Sequence, residues 1–158
     1  MFSNIKLGVI GAGNMGEALI RGALKAGVLT RNRVVASRRN ADALLALQEA
    51  LGIATTTDNV ALIRECQVVV LGIKPQGFTA LMGQVRHAFT ADKLVISIAA
   101  GITTGAIEEA IGLEIPVIRV MPNTPALVGE AMSPYCRGQY ADESHALLTA
   151  ELLSSVGK

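Results

Sequence analysis

The chain has 158 residues, of which 51% are hydrophobic but only 3% aromatic, with 16 glycines and no tryptophan. This length and composition suit one domain with an aliphatic core, and we expect residues 1–158 to form a single domain. Fourteen basic and thirteen acidic residues leave a net charge of +1. That balance argues against a nucleic-acid or membrane surface and favours a small-molecule partner.

The two cysteines and the apolar stretches exclude further classes of protein. Cys66 and Cys136 stand apart from any other Cys or His at metal-ligand spacing, so we expect two reduced, buried thiols and no metal. The most apolar stretches, 68–73 and 94–102, fall short of the ~20 residues that a membrane helix needs. Residues 1–4 lead directly into a predicted strand and leave no room for a signal peptide. The sequence therefore predicts a cytoplasmic protein.

Strands and helices are predicted to alternate from the start of the chain. The first strand leads into a glycine turn and then a helix whose apolar residues recur at helical spacing. Asn40 and Asp58 are residue types that begin helices, and Gly52 is one that ends them. In chain order, we predict a strand at 5–10, a helix at 15–26, a strand at 33–36, a helix from Asn40 to Gly52, a strand at 53–56, a short helix from Asp58 through Ile63, and a buried strand at 67–73.

The alternation continues in the second half of the chain. Pro75 and Gly77 break it, and the next helix carries four apolar residues on one face between 78 and 85. In chain order, we then predict a strand at 94–98, a helix from Thr103 or Thr104 to Gly112, a strand at 116–120, a proline-rich turn at 121–125, a helix from a cap at Asp142 through Leu152, and the opening of another strand at 156–158.

Continuous apolar strands that alternate with helices are typical of a parallel sheet whose two faces are both covered. The predicted fold is therefore α/β, a Rossmann-type doubly wound, mostly parallel sheet with helices on both faces. In such a sheet the ligand lies at the carboxyl ends of the strands.

A GxGxxG motif occupies residues 11–16, between the first strand and the first helix. In this setting the motif predicts a dinucleotide site, whereas alone it could be an ordinary glycine-rich turn. Gly11 permits the tight turn, Gly13 lets the backbone approach a pyrophosphate, and Gly16 lets helix and strand pack closely. The free N–H groups of the first helical turn then bind the anion.

The end of the second strand distinguishes the two nicotinamide cofactors. An NAD site places Asp or Glu there, about 20 residues after the glycines, to accept from the ribose 2′-OH. Residues 18–41 contain no acid, and the strand ends instead with Ser37, Arg38 and Arg39, which can bind a 2′-phosphate. We therefore expect NADP(H) to be preferred, with NAD(H) as a second cofactor. The alternative is that the arginines only solvate a strand end.

Three further loops follow predicted strands, at 72–76 (GIKPQ), 97–102 (SIAAGI) and 119–126 (RVMPNTPA). Together with the glycine loop they resemble pyrroline-5-carboxylate reductase over essentially the whole chain, most specifically at 121–130. The resemblance implies an enzyme that reduces a cyclic imine, pyrroline-5-carboxylate, to proline with NAD(P)H in the last step of proline synthesis. It also implies a helical C-terminal domain, whose motifs are absent here. We therefore expect a cofactor-binding half that forms a homo-oligomer only through the missing domain.

The resemblance assigns cofactor-binding residues by position. It implies that the pyrophosphate lies against Ile10, Gly11, Ala12, Gly13, Asn14 and Met15, the adenosine phosphate against Ser37, Arg38 and Arg39, the ribose region near Asn59, the cofactor groove along Gly72, Ile73, Lys74 and Pro75, and the nicotinamide beside Ile98, Ala99 and Ala100, with Pro122 and Asn123 at its carboxamide end.

No residue is predicted to act in catalysis. The sequence shows no Ser-His-Asp, paired-carboxylate or metal arrangement, and His87 and His145 are interpreted as solvated residues of helices. Lys74 could carry a proton or meet a substrate carboxylate. The proline after it favours a shaped cofactor loop instead, because residues at strand ends serve binding more often than chemistry.

Other interpretations stay open. Met15 belongs to the apolar stripe of its helix and suits the core as well as the ligand, and Asn123 could close a turn between two prolines. For the whole chain, one alternative is an NADP-linked reductase of another imine or of a deazaflavin carrier. Another is a non-catalytic module that binds a dinucleotide as a regulator.

Overall fold

The computed structural model describes residues 4–121 and 135–154. In them, one sheet contains strands β1 (Leu7–Ile10), β2 (Val34–Ser37), β3 (Ala54–Thr56), β4 (Val68–Leu71), β5 (Leu94–Ser97), β6 (Val117–Val120) and β7 (Tyr135–Arg137). The strand order is β3-β2-β1-β4-β5-β6-β7, and every neighbouring pair is parallel except β6 with β7. The first six strands have the order of a Rossmann fold, so the predicted fold class is confirmed.

Helices pack on both faces of the sheet, and all but the last of them connect successive parallel strands. They are α1 (Asn14–Lys25), α2 (Ala41–Leu51), α3 (Asn59–Glu65), α4 (Phe78–Val85), α5 (Thr104–Ile111) and α6 (Glu143–Ser154). Short 3-10 turns lie at Arg31–Arg33, Pro75–Gly77 and Arg86–Ala88.

The ends of several helices follow from local side-chain chemistry. The side chains of Asn40, Asp58 and Thr103 accept hydrogen bonds from backbone N–H groups in the first turns of α2, α3 and α5. The glycines that end α2 and α5, Gly52 and Gly112, adopt the left-handed conformation that favours glycine. The predicted caps are confirmed, and Thr103 rather than Thr104 begins α5.

The core has two aliphatic halves, one on each face of the sheet. Leu19 of α1, Leu47 of α2 and Leu152 of α6 pack on one face. Leu62 of α3 and Ile107 of α5 pack on the other, together with residues of α4. All four residues of β1, β4 and β5 are buried. This two-sided burial explains the unbroken apolar runs in these strands.

The edge strand β7 differs from the predictions. Its three residues are all exposed and pair antiparallel with β6, so no apolar pattern announces it. The expectation of two buried thiols is wrong for Cys136, which is exposed because it lies in this edge strand. Cys66 is buried, and burial raises the pKa of its thiol to about 12.

Two polar contacts of a buried lysine, at the amino ends of the strands, were not predicted. Lys93 is buried just before β5, and its ammonium group donates to the main-chain oxygens of Cys66 at 2.7 Å and Arg64 at 3.4 Å. These oxygens lie at the carboxyl end of α3, where helical carbonyl groups lack partners within the helix. Lys93 therefore caps α3 from a position just before β5, far along the chain.

The end of β4 and the two histidines are the remaining features to compare with the predictions. The predicted strand at 67–73 is shorter, Val68–Leu71, because Gly72 already leads into the 3-10 turn at Pro75–Gly77. His87 is exposed, but His145 is half-buried, and its Nδ1 accepts a hydrogen bond from the Asp142 N–H. The predicted turn residues 122–125 and the strand opening at 156–158 lie outside the described residues.

Candidate cofactor site

The glycine loop is held in place by the neighbouring strand. Gly11 has a φ of 76°, a conformation that favours glycine, and its N–H donates to the main-chain oxygen of Ser37 at 2.9 Å. The N–H of Ala12 donates to the same oxygen at 2.9 Å, and Gly13 donates to the Gly11 oxygen at 2.7 Å. The turn between β1 and α1 is therefore fixed by hydrogen bonds at both of its ends.

The other glycines of this region serve close packing and open space. A Cβ atom on Gly16 would lie 3.1 Å from Cγ1 of Val9, so this glycine lets α1 approach β1. A Cβ atom on Gly13 would meet nothing closer than the Gly11 oxygen at 3.9 Å. The protein therefore leaves the space above Gly13 empty, as a site for a phosphate requires.

Gly72 has a structural role that the sequence did not reveal. Its N–H donates to the Ile10 oxygen at 2.8 Å, and a Cβ atom there would lie 3.0 Å from the Gly11 oxygen. A glycine directly after a buried strand was the only sequence signal for this close approach. It brings the carboxyl end of β4 against the glycine loop.

The amino end of α1 presents unpaired donors to this space. No side chain caps the helix at Gly13, and the first N–H that bonds within it is that of Glu17, which donates to the Gly13 oxygen. In the described part of the chain, the N–H groups of Asn14, Met15 and Gly16 have no partner. Unpaired N–H groups at the positive end of a helix dipole bind anions such as phosphate.

The end of β2 places cations beside this anion site. Arg38 and Arg39 are exposed, and neither guanidinium forms an ion pair or hydrogen bond within the described residues. Ser37 is buried and its hydroxyl donates to Oδ1 of Asn59 at 2.6 Å. Because that proton is already used, the two arginines rather than Ser37 are the donors available to a phosphate.

The loop after β4 is a shaped turn. Lys74 begins the 3-10 turn that contains Pro75, and its main-chain oxygen accepts from the Gly77 N–H at 3.0 Å. The Lys74 side chain is exposed at the carboxyl edge of the sheet, and Ile73 is half-buried against the glycine loop. This geometry supports the interpretation of the loop as cofactor-groove architecture.

The loop after β5 lies next along the same edge. The Ile98 N–H donates to the Leu71 oxygen at 3.0 Å, and the Ala99 N–H donates to the Ser97 hydroxyl oxygen at 3.2 Å. Ala99 is buried, whereas Ala100 is exposed. Two of the three residues of this loop, Ala99 and Ala100, have only a methyl side chain.

The structure thus places at one edge of the sheet those predicted site residues that it describes. They are Ile10 to Met15, Ser37 to Arg39, Asn59, Gly72 to Pro75 and Ile98 to Ala100. Met15 is half-buried and belongs to neither half of the core. Pro122 and Asn123 lie outside the described residues.

Other features of the described residues do not compete with this site. An open groove of about 400 Å³ lies beside α5 and is lined by Glu108, Glu109 and Glu114, a charge that does not suit an anionic dinucleotide. Within 4–121 and 135–154, no helix is long and apolar enough to cross a membrane. The same residues contain no group of three or more His, Cys, Asp or Glu that could hold a metal ion.

Comparison with known families agrees with this geometry. A family model described as NADP oxidoreductase, coenzyme F420-dependent, matches residues 6–101. The chain belongs to this family. The matched residues include the glycine loop, the end of β2 and the loops after β4 and β5. The candidate site therefore lies within the part of the chain that defines the family.

Individual curated proteins and solved structures are similar along nearly the whole chain. The pyrroline-5-carboxylate reductase of Methanosarcina acetivorans is 40% identical over 154 residues, which cover 98% of this chain and 57% of that protein. The solved structure of a pyrroline-5-carboxylate reductase from Coxiella burnetii has a TM-score of 0.91 at 30% identity and covers 98% of this chain and 57% of its own. The reductase from Plasmodium falciparum with NADP bound has a TM-score of 0.85 at 29% identity, covering 98% and 56%.

These similarities confirm the resemblance to pyrroline-5-carboxylate reductases that the loop motifs predicted. The chain spans a little over half the length of these relatives.

Proposed function

We propose that residues 1–158 are the NADP(H)-binding domain of a pyrroline-5-carboxylate reductase. The observation that carries the proposal is the 40% identity to such a reductase over 154 residues, in a chain whose glycine loop has the geometry of a dinucleotide site. The whole enzyme would reduce the cyclic imine 1-pyrroline-5-carboxylate to L-proline.

The residues of the site fit the cofactor. In this proposal, the pyrophosphate lies above Gly13 and accepts from the unpaired N–H groups at the start of α1, as its charge requires. The 2′-phosphate lies between the exposed guanidinium groups of Arg38 and Arg39, which can bind it bidentately. The nicotinamide ring lies on the loop 98–100, whose small side chains leave room for a substrate ring.

The chemistry divides between cofactor and protein. When bound, NADPH would supply a hydride to the carbon of the protonated C=N bond, the electron pair of that bond would move to nitrogen, and NADP⁺ would be left. The chain binds and orients the nicotinamide through the loops after β4 and β5, and it excludes water from the ring face that they cover. A cyclic imine can be protonated in solution, so this half of the site needs no strongly shifted acid.

The remaining parts of the proposal concern the whole protein. We infer that it acts in the cytoplasm on a small-molecule imine, with neither a nucleic acid nor a membrane as partner. Homo-oligomers would form through the helical C-terminal domain that the family resemblance implies. Substrate turnover would require that domain as well.

The test has two stages. The chain should bind NADPH in isothermal titration calorimetry, and bind NADH more weakly. The chain extended to the length of its relatives should oxidise NADPH in the presence of pyrroline-5-carboxylate and form proline. Absence of NADPH binding would overturn the cofactor assignment, and binding without turnover by the extended chain would favour a non-catalytic module.

A second candidate follows from the family description, which reads NADP oxidoreductase, coenzyme F420-dependent. In this alternative, the cofactor site is unchanged and the acceptor is a deazaflavin or another imine. The absorbance of a deazaflavin would measure hydride transfer between it and NADPH. Pyrroline-5-carboxylate would be tested as the competing substrate. Turnover of the deazaflavin alone would replace the first proposal.

A further inference from the structure

Arg119 is a charged residue within the sheet that the proposed cofactor site does not yet use. It lies in β6, in register with Ser97 of β5 and Cys136 of β7. Its side chain is half-buried, and its Nε atom is enclosed and has no hydrogen-bond partner among the residues that the structure describes. One Nη atom lies 3.8 Å from the sulfur of Met121, which is a weak acceptor. A buried donor without a partner is rare in native proteins and calls for a specific explanation.

The position of Arg119 places it at the nicotinamide end of the proposed site. Side chains alternate between the two faces of a strand, so Arg119 shares a face with Val117, which packs against the α3–α5 side of the core. It is the last residue but one of β6 and therefore lies at the carboxyl edge of the sheet. Its register partner Ser97 is the last residue of β5, directly before the loop 98–100.

The neighbouring loop cannot supply polar recognition through its own side chains. Ile98, Ala99 and Ala100 are apolar, and the Ser97 hydroxyl oxygen already accepts from the Ala99 N–H. Among the described residues where β5 and β6 end, Arg119 is therefore the side chain with an unused donor. An arginine carries five N–H donors and no acceptor, so its ligand must present oxygen acceptors.

We propose that Arg119 binds the nicotinamide half of the dinucleotide and that its guanidinium donates to oxygen atoms of that half. The nicotinamide mononucleotide half carries such oxygens on its phosphate, its ribose and its carboxamide. This inference rests on the proposed function, because it assumes that a nicotinamide dinucleotide occupies the site. It adds a specific contact at the end of β6, which lies on the other side of β1 in the strand order from β2, the strand that ends at Arg38 and Arg39.

The test compares two substitutions at Arg119 with a control, using three ligands in calorimetry. Arg119→Met keeps the length of the side chain without its donors, Arg119→Lys keeps the charge without the planar fork, and Arg33→Met removes a half-buried arginine before β2, at the amino edge of the sheet. The ligands are NADPH, reduced nicotinamide mononucleotide and 2′,5′-ADP. We expect R119M to weaken the first two by about tenfold, the loss expected for a charge-assisted hydrogen bond, and to leave 2′,5′-ADP unchanged.

The affinities of the variants for the three ligands decide whether Arg119 binds the nicotinamide half. R119K should bind NADPH more weakly than the unchanged chain and more tightly than R119M, and R33M should bind all three ligands normally. If thermal unfolding shows no folded state for R119M, R119K becomes the test, and it should show the same selectivity among the three ligands. Equal weakening for all three ligands, or no weakening, would overturn the role of Arg119 but leave the cofactor site intact. If the unchanged chain binds neither NADPH nor 2′,5′-ADP, both proposals fail.

Discussion

The main-chain oxygen of Ser37 lies 2.9 Å from the nitrogen of Gly11 and joins the ends of β2 and β1. The same oxygen accepts from the Ala12 N–H. The residues proposed to bind the pyrophosphate are therefore hydrogen-bonded to the strand end that presents Arg38 and Arg39. Gly72, at the end of β4, lies close to the glycine loop on the side away from β2. Contacts from both neighbouring strands thus hold the glycine loop in its shape without a ligand, and a preorganised loop loses little entropy on binding.

The surroundings of Gly13 and Gly11 predict different effects for two glycine substitutions, one on cofactor binding and one on stability. Gly13→Val should weaken NADPH binding by more than about tenfold while changing the free energy of unfolding by less than about 1 kcal/mol, because its side chain enters space that the protein leaves empty. Gly11→Ala should destabilise the fold by about 1–3 kcal/mol, since Gly11 has a φ of 76° and the new Cβ would lie 3.0 Å from the Ile73 side chain. Calorimetry measures the binding and urea unfolding the stability. Retained affinity in G13V would remove the glycine loop from the site.

Arg38 and Arg39 should set the preference between the two cofactors. Replacing both by alanine should weaken NADPH binding by at least about tenfold and leave NADH binding nearly unchanged, because only NADPH carries the 2′-phosphate that we propose these guanidinium groups bind. The control is Arg86→Ala, an exposed arginine in the 3-10 turn after α4, outside the candidate site. Titrations with both cofactors give the ratio of affinities, and an equal loss for both would exclude a 2′-phosphate contact at these residues.

The parts of the fold that were predictable from the sequence rest on local chemistry. Asn40, Asp58 and Thr103 begin helices because their side chains bond to backbone groups three residues away. The glycine loop was predictable for the same reason, since its turn and its unpaired N–H groups are properties of a few consecutive residues.

Contacts between distant residues were not predictable. Lys93 reaches the Cys66 oxygen across 27 residues, and the strand containing Cys136 is exposed and exists only because it pairs with β6. The close approach of Gly72 to Gly11 also depends on which strands become neighbours. Arg119 gave no signal because an arginine in a strand is most often a solvated side chain.

The two cysteines should differ in reactivity towards a thiol reagent such as DTNB. Cys136 is exposed and should react in the native protein at pH 8, whereas Cys66 is buried with its pKa raised to about 12 and should react only after denaturation. Native protein should therefore release one equivalent of dye and denatured protein two. Cys136→Ser should abolish the native reaction, and rapid native labelling of that variant would contradict the burial of Cys66.

The raised pKa of Cys66 also predicts a loss of stability at alkaline pH. Burial raises the pKa of this thiol from 9.0 to about 12, so between these values the unfolded chain loses the proton while the native chain keeps it. The free energy of unfolding should then fall as the pH rises from about 9. Urea unfolding measured from pH 8 to pH 11 should show a shallower fall in Cys66→Ala than in the unchanged chain. Parallel curves for the two proteins would assign the alkaline loss to other groups.

Lys93 should stabilise the fold without affecting the cofactor site. Lys93→Met keeps the buried stem but removes the ammonium group from the Cys66 and Arg64 oxygens at the carboxyl end of α3. We expect a loss of about 1–3 kcal/mol in the free energy of unfolding, because a charge-assisted hydrogen bond is lost and carbonyl groups are left buried without a partner.

The matched control is Lys25→Met, which removes an exposed lysine from the last turn of α1. It has the same favourable position at a helix end but lies in water, so its loss should cost less than about 0.5 kcal/mol. NADPH affinity should be unchanged in K93M, because Lys93 precedes β5 and lies at the amino edge of the sheet, opposite the glycine loop. Equal stability losses in K93M and K25M would mean that burial adds nothing to the helix-end charge, and the contact with the Cys66 oxygen would then make no net contribution to folding.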